Sequence, residues 1–246
     1  MNMKANDLDY VLVPLGLALI AAYHLWLLYR IIYQPTKTVI GINAINRRIW
    51  VETIMEDPAK NGILAVQTLR NNIMASTLLA TAAVMLSTLI VVLMSSNSST
   101  SNSNSFLRGQ ALVLALFGNK SYHILPFKFF AIILCFMLAF FFNLQSIRYY
   151  SHGSMLIGVP IMRQRGLGAA YASKYVVRVL NKAGYFWSLG MHTFYFSIPV
   201  FLWLFGPVPM IMSSSVLVAT LYFLDSGNCM IGEGSGEAMN SMVNPE

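Results

Sequence analysis

Apolar runs of membrane-spanning length alternate along this chain with polar, basic stretches. The first run covers 11–32. At 1.5 Å rise per residue it crosses a hydrocarbon core of about 30 Å. Tyr10, Trp26, Tyr29 and Tyr33 stand at its ends, where interfacial aromatics belong, and Gln34-Pro35 stops it. Pro14 falls in its first turn, where a missing N–H costs little. Tyr29, Arg30 and Tyr33 close the run in place of a small-residue cleavage site, so it reads as a retained helix and not as a signal peptide. The second run, 73–94, is rich in Ala, Ser and Thr, residues that let helices approach closely in lipid. The third covers 127–144. A final stretch, 186–224, is too long for one span, and Gly206-Pro207-Val208-Pro209 divides it into two short spans, 186–205 and 208–224, or into one span and one interfacial helix.

The segments between the runs carry their own patterns. Across 36–72, Val39, Ile42, Ile45, Ile49 and Trp50 recur at three- and four-residue steps, as on an amphipathic helix, and Asp57-Pro58 breaks it. Residues 95–105 read SSNSSTSNSNS, a tract that buries nothing and is expected to be a mobile loop. Residues 106–117 are apolar but short, which suits a re-entrant or interfacial segment. The stretch 153–182 is basic and interrupted by Gly158, Pro160, Gly166 and Gly168, with a basic amphipathic helix expected over 169–180. A Gly/Ser/Met tail over 226–246 is expected to be disordered. The fold class that follows is all-α: one polytopic membrane domain over 1–225 with four to five transmembrane helices.

Composition agrees, with 57% hydrophobic and 10% charged residues, where a soluble domain carries about 25% charged. The net charge of +7 raises the question of a nucleic-acid partner, but the basic residues sit in the loops. Lys37, Arg47, Arg48, Lys60 and Arg70 lie between the first two runs, and Arg148, Arg163, Arg165, Lys174, Arg178 and Lys182 follow the third. The intervening loop has only Arg108 and Lys120. The positive-inside rule places the first and third loops in the cytosol and the N-terminus on the opposite side, in a lumen or the exterior. The acceptor triplets at Asn97 and Asn119 both fall on the luminal side, as candidate glycosylation sites. Arg163-Gln164-Arg165 resembles an endoplasmic-reticulum retention pattern, or is ordinary loop charge.

No catalytic constellation emerges. His24, His123, His152 and His192 lie in different segments without metal-ligand spacing, Cys135 and Cys229 form no CxxC pair, and there is no GxSxG elbow. Neither a cofactor nor a metal is expected, and the chain does not read as an enzyme. The polar features suit a pore better. Glu52, Glu56 and Asp57 cluster at the end of the first cytosolic helix, and Asp225 ends the last run. Around a cyclic axis such carboxylates form rings that concentrate cations. The alternative is that Glu52 and Glu56 pair with Arg47, Arg48 or Lys60 on a solvated surface. Pore charge acts at short range, whereas loop charge is screened over a Debye length of about 8 Å, so a cation pore is expected despite the basic total.

Ile40-Gly41-Ile42-Asn43, Arg47-Arg48-Ile49-Trp50-Val51 and a long run from Lys60-Asn61-Gly62-Ile63 to Ile73-Met74-Ala75-Ser76 are more specific. So are Gly184-Tyr185-Phe186-Trp187, Phe205-Gly206-Pro207-Val208-Pro209 and Leu221-Tyr222-Phe223-Leu224-Asp225. Together they resemble a plant family of membrane proteins catalogued as a domain of unknown function. The resemblance covers most of 11–225 and extends to a calcium-permeable channel within that family. It implies a homopentamer in the endoplasmic-reticulum membrane, with a central pore for cations including calcium and a role in plant immune signalling. Expected partners are further copies of the chain, permeant cations and membrane lipids, with no nucleic acid. The alternative is a non-conducting membrane scaffold or adaptor.

Overall fold

The computed structural model describes residues 5–98, 125–158 and 169–226. Within them the chain forms six α-helices: α1 (Ala5–Tyr33), α2 (Val39–Glu56), α3 (Pro58–Ser98), α4 (Leu125–Gly158), α5 (Ala169–Leu202) and α6 (Pro207–Asp225). Four of them are long and apolar enough to cross a membrane: α1, α3, α4 and α6. The fifth long helix, α5, is not among these: Lys174, Arg178 and Lys182 charge its first half, and Trp187, Ser188, His192, Thr193, Ser197 and Pro199 dilute the apolar residues of its second. The pairing of Thr38 with Ser226 is the only β-bridge among the described residues.

The helices outrun the apolar segments that announce them. The third span, expected over 127–144, continues as helix to Gly158, and the final pair begins at Ala169 instead of 186. The helix of the second span starts at Pro58 and runs to Ser98. Residues 95–98 of the Ser/Asn tract are therefore helical, and the rest of that tract lies outside the described residues, as do 106–117. Hydropathy marks where a helix enters lipid, not where its backbone hydrogen bonds end, so polar extensions without a proline continue the spiral. The α1 helix likewise begins at Ala5, which places Pro14 inside it and not in the first turn. The Tyr10 carbonyl then lacks its usual N–H donor.

Breaks at Asp57-Pro58 and around Gly206 fall where the sequence places them. Gly206 adopts φ 139°, a region that side chains rarely enter, and Pro207 opens α6 with the φ a first helical position needs. The Trp203 carbonyl, in that turn, accepts from Lys128 Nζ at 3.1 Å.

The described chain divides into two compact units. One comprises 5–23, 80–98, 125–141 and 190–219, and its core sets Ala83 and Ile90 of α3 against Phe129, Ile132, Phe136 and Ala139 of α4 and Val200 of α5. The other comprises 24–79, 142–158, 169–189 and 220–226. Its core joins Val51 and Ile54 of α2, Ala65 and Leu69 of α3, Tyr150 and Ile157 of α4, and Val176, Leu180 and Ala183 of α5. Ser146 Oγ donates to the Ala183 carbonyl at 3.0 Å and lies 3.4 Å from Ser76 Oγ, so two buried hydroxyls and a carbonyl link three helices. The end of α6 is held in this second unit by the Thr38–Ser226 bridge and by Trp26 against Tyr222, with ring centroids 5.6 Å apart. Ser226, assigned from the sequence to the tail, is thus a paired residue.

Within α2 the buried face is not the large apolar stripe. Gly41, Ala44, Val51 and Ile54 are buried, whereas Ile49 is exposed and Val39, Ile42, Ile45 and Trp50 are half-buried. Gly41 and Ala44 form the first half of the buried line, Val51 and Ile54 the second, and the rest of the apolar stripe flanks it.

Candidate functional site

The four carboxylates proposed as pore rings lie in two places. Glu52, Glu56 and Asp57 share the C-terminal end of α2, all exposed. Asp225 is half-buried and precedes Ser226, which pairs with Thr38 at the opposite end of α2. That helix separates the two ends by about 27 Å at 1.5 Å per residue. One ring cannot contain all four.

Local geometry further divides the first group. Glu52 accepts from Arg48 Nε at 3.0 Å across one helical turn, with both side chains about half exposed at 47% and 46%. This is the solvated pairing open to the sequence, and it contributes little stability. Asp57 Oδ1 accepts from the Lys60 backbone N–H at 3.3 Å, which caps the first turn of α3. Glu56 has neither engagement and is the least encumbered of the three.

Two lines of small residues run along α3. Ala65, Leu69, Ser76, Ala80, Ala83, Ser87 and Ile90 are buried at steps of three, four and seven. A second line, Thr77, Thr81, Thr88 and Ser95, is exposed. At about 100° per residue these four lie within about 40° of one another, with Arg70 on the same line. Thr77 and Thr88 donate to the carbonyls of Ile73 and Val84 at 2.9 and 3.0 Å. The Thr88 oxygen keeps acceptor capacity on the outer surface of an apolar helix.

A cavity of about 320 Å³ opens in the second unit between α2, α3, α4 and α5, lined by Asn43, Asn46, Arg47, Asn72, Tyr150 and Trp187 among others. Arg47 organises it. Its Nε donates to Asn181 Oδ1 at 3.1 Å, and its guanidinium acts electrostatically on the Tyr150 hydroxyl. Gly184 makes room for it: a β-carbon there would overlap the Arg47 guanidinium. No carboxylate pairs with Arg47 among the described residues. The cavity presents amides, one cation and indole rings, a lining for water or a neutral or anionic group and not for a metal cation. No group of three or more His, Cys, Asp or Glu side chains with metal-binding geometry occurs among the described residues. His192 is buried in α5 and His24 is half-buried in α1.

Sequence reasoning counted Arg47 and Arg48 together as loop charge. The fold separates them, with Arg48 on the solvent side and Arg47 turned inward. The available signal was Arg47's place three residues after Ala44 and four before Val51, on the buried line of α2. Of the remaining candidates, Asn97 lies in the last turn of α3, while Asn119, Arg163 and Arg165 lie outside the described residues.

No curated protein and no solved structure matches the chain. A family model does match, over residues 11–228, and the chain therefore belongs to the family described as protein of unknown function, DUF599.

Proposed function

We propose that this protein is a subunit of a cation-selective, calcium-permeable channel of the endoplasmic-reticulum membrane, assembled as a homopentamer and acting in plant immune signalling by raising cytosolic calcium. The observation that carries the reading is the exposed hydroxyl line of Thr77, Thr81, Thr88 and Ser95 on α3. Hydroxyl oxygens aligned over several turns of an apolar helix give a permeating cation partial replacement for its water. The chain itself buries only 17–28% of the most apolar window in each candidate span, which leaves ample surface for lipid and for neighbouring subunits. The pentamer, the organelle and the immune role rest on the resemblance of the runs named above to WeiTsing, a plant endoplasmic-reticulum channel.

The orientation rests on the basic loops. With Thr38 cytosolic, its partner Ser226 is cytosolic too, so α6 descends toward the cytosol. The α5 helix must then cross in the opposite sense, giving five passages with a luminal N-terminus and a cytosolic C-terminal end. A cysteine at Glu56, in a background without Cys135 and Cys229, is expected to react with an impermeant thiol reagent added outside sealed microsomes. Protection there until detergent is added would reverse the orientation.

Conduction is tested with the purified full chain in liposomes. The expected result is potassium and calcium flux, reduced severalfold by combined Thr81→Val and Thr88→Val substitution, which removes hydroxyls at nearly constant volume. Absence of flux at every voltage and calcium level favours the scaffold reading. For selectivity, Glu56→Gln is expected to shift the reversal potential in asymmetric salt most, ahead of Glu52→Gln, Asp57→Asn and Asp225→Asn. If all four keep wild-type preference, acidic rings do not set selectivity.

A further inference from the structure

A second cavity, of about 360 Å³, lies on the flank of α4 and α5 within the second unit, and the channel reading does not use it. Its lining includes Arg148, Tyr149 and His152 of α4 with Tyr175, Arg178 and Lys182 of α5. The two helices are drawn together beside it by Gly153, where a β-carbon would overlap Leu180. Arg148 and His152 lie one turn apart, as do Arg178 and Lys182, so each helix projects its pair to one side. The aromatic groups are ordered around them. His152 Nε2 stands 3.5 Å from the Tyr175 hydroxyl. Tyr149 stacks on Phe186 with centroids 5.5 Å apart and an interplanar angle of 9°, and Lys182 Nζ lies 5.9 Å from the Tyr149 ring centre.

Among the described residues no ion pair answers the charge of this cluster. Three permanent cations converge, and between Asp57 and Asp225 the sequence has no acidic residue at all. Like charges one turn apart destabilise a helix, so such a cluster is relieved by an anion from outside. Topology signals need only basic residues in a loop. They do not need those residues gathered into a concavity with two tyrosines and an imidazole.

Height relative to the membrane narrows the ligand. Leu144 is the last exposed large apolar residue of α4 before Arg148, which stands about 6 Å further along the helix axis. On α5, exposed Tyr185 and Leu189 follow Lys182 toward the apolar segment. In the orientation proposed above, the cavity falls past the most apolar stretches of α4 and α5, toward the headgroup layer, which adds roughly 5–7 Å to each side of the hydrocarbon core. Guanidinium forks recognise phosphate oxygens in pairs, and the tyrosine and histidine groups suit ring hydroxyls. The volume falls at the lower end of the roughly 300–1,000 Å³ of small-molecule sites, ample for a sugar phosphate.

We propose that this α4–α5 cavity binds the phosphomonoester-bearing headgroup of a membrane lipid of the phosphoinositide type. The site is independent of conduction, because occupancy is read as binding. The full-length protein is reconstituted in phosphatidylcholine nanodiscs carrying a small fraction of phosphatidylinositol monophosphate or of phosphatidylserine, and retained lipid is measured by native mass spectrometry. Preferential retention of the phosphoinositide is expected, weakened at least about tenfold by combined Arg148→Gln and Arg178→Gln and unchanged by combined Lys37→Gln and Lys60→Gln. Arg178→Lys keeps the charge but loses the fork, and it carries the same test should the double variant not fold; undiminished binding by that variant overturns the proposal. So does equal retention of phosphatidylserine, which would mark a diffuse basic surface. A soluble inositol phosphate that binds as tightly as the lipid would overturn the membrane source.

Discussion

Gly41→Ala should destabilise the protein by about 3 kcal/mol, the upper range for forced overpacking, and should abolish a monodisperse peak on detergent extraction. The reason is that the obstacle is backbone. A β-carbon at 41 would overlap the Pro35 carbonyl and stand 2.7 Å from Pro35 Cα. Pro35 is itself pinned by the turn it begins: Thr38 N–H donates to its carbonyl at 3.2 Å, and so does the Thr38 hydroxyl, at 3.2 Å. That same hydroxyl oxygen accepts from Gly41 N–H at 3.2 Å as the cap of α2. Moving Pro35 away would therefore break the cap and the α1–α2 corner together. Gly62→Ala supplies the contrast. Nothing lies within 4 Å of a β-carbon at 62, so alanine should stabilise α3 by up to about 1 kcal/mol. Thermal melts of both variants in one detergent check the pair; equal behaviour would mean that the corner is softer than its hydrogen bonds indicate.

The second large effect is at Gly184, with the sign of its partner dependence as the test. Alanine in the interior of α5 would ordinarily help by about 1 kcal/mol. At this position it displaces the Arg47 guanidinium, which loses Asn181 and its place beside Tyr150. Gly184→Ala should therefore destabilise the wild type yet be neutral or favourable in an Arg47→Ala background. A double-mutant cycle should return a coupling of about 1–3 kcal/mol. Equal costs in both backgrounds would show that Arg47 is not what Gly184 accommodates. Because Arg47 is the end of a flexible side chain, this variant should fold, and so it can also be tested for cation flux.

Much of the architecture was legible in the order of residues. The break at Asp57-Pro58, the division at Gly206-Pro207 and the helical character of 39–56 follow from proline, glycine and periodicity, which act locally. The four apolar spans follow from a solvent that rejects unpaired backbone groups. Helix ends were less legible. The α4 helix passes Leu144 and reaches Gly158, and along that extension Gly153 lies close to Leu180, a proximity with no trace in local sequence.

Side-chain orientation was the other hidden quantity. Charge counting treats Arg47 and Arg48 alike, and only packing of α2 against its neighbours turns one inward to Asn181 and leaves the other on Glu52. The acidic candidates were found by elimination from a short roll of carboxylates, but their separation along α2 required the Thr38–Ser226 bridge. The same applies to the α4–α5 cavity, whose cations are spread over 148–182 in the chain. Which segments become helix, and which are apolar enough to cross a bilayer, is written in residue order, since both depend on short-range chemistry. Which polar side chains meet is not, because that depends on the rotation and close approach of helices distant in sequence.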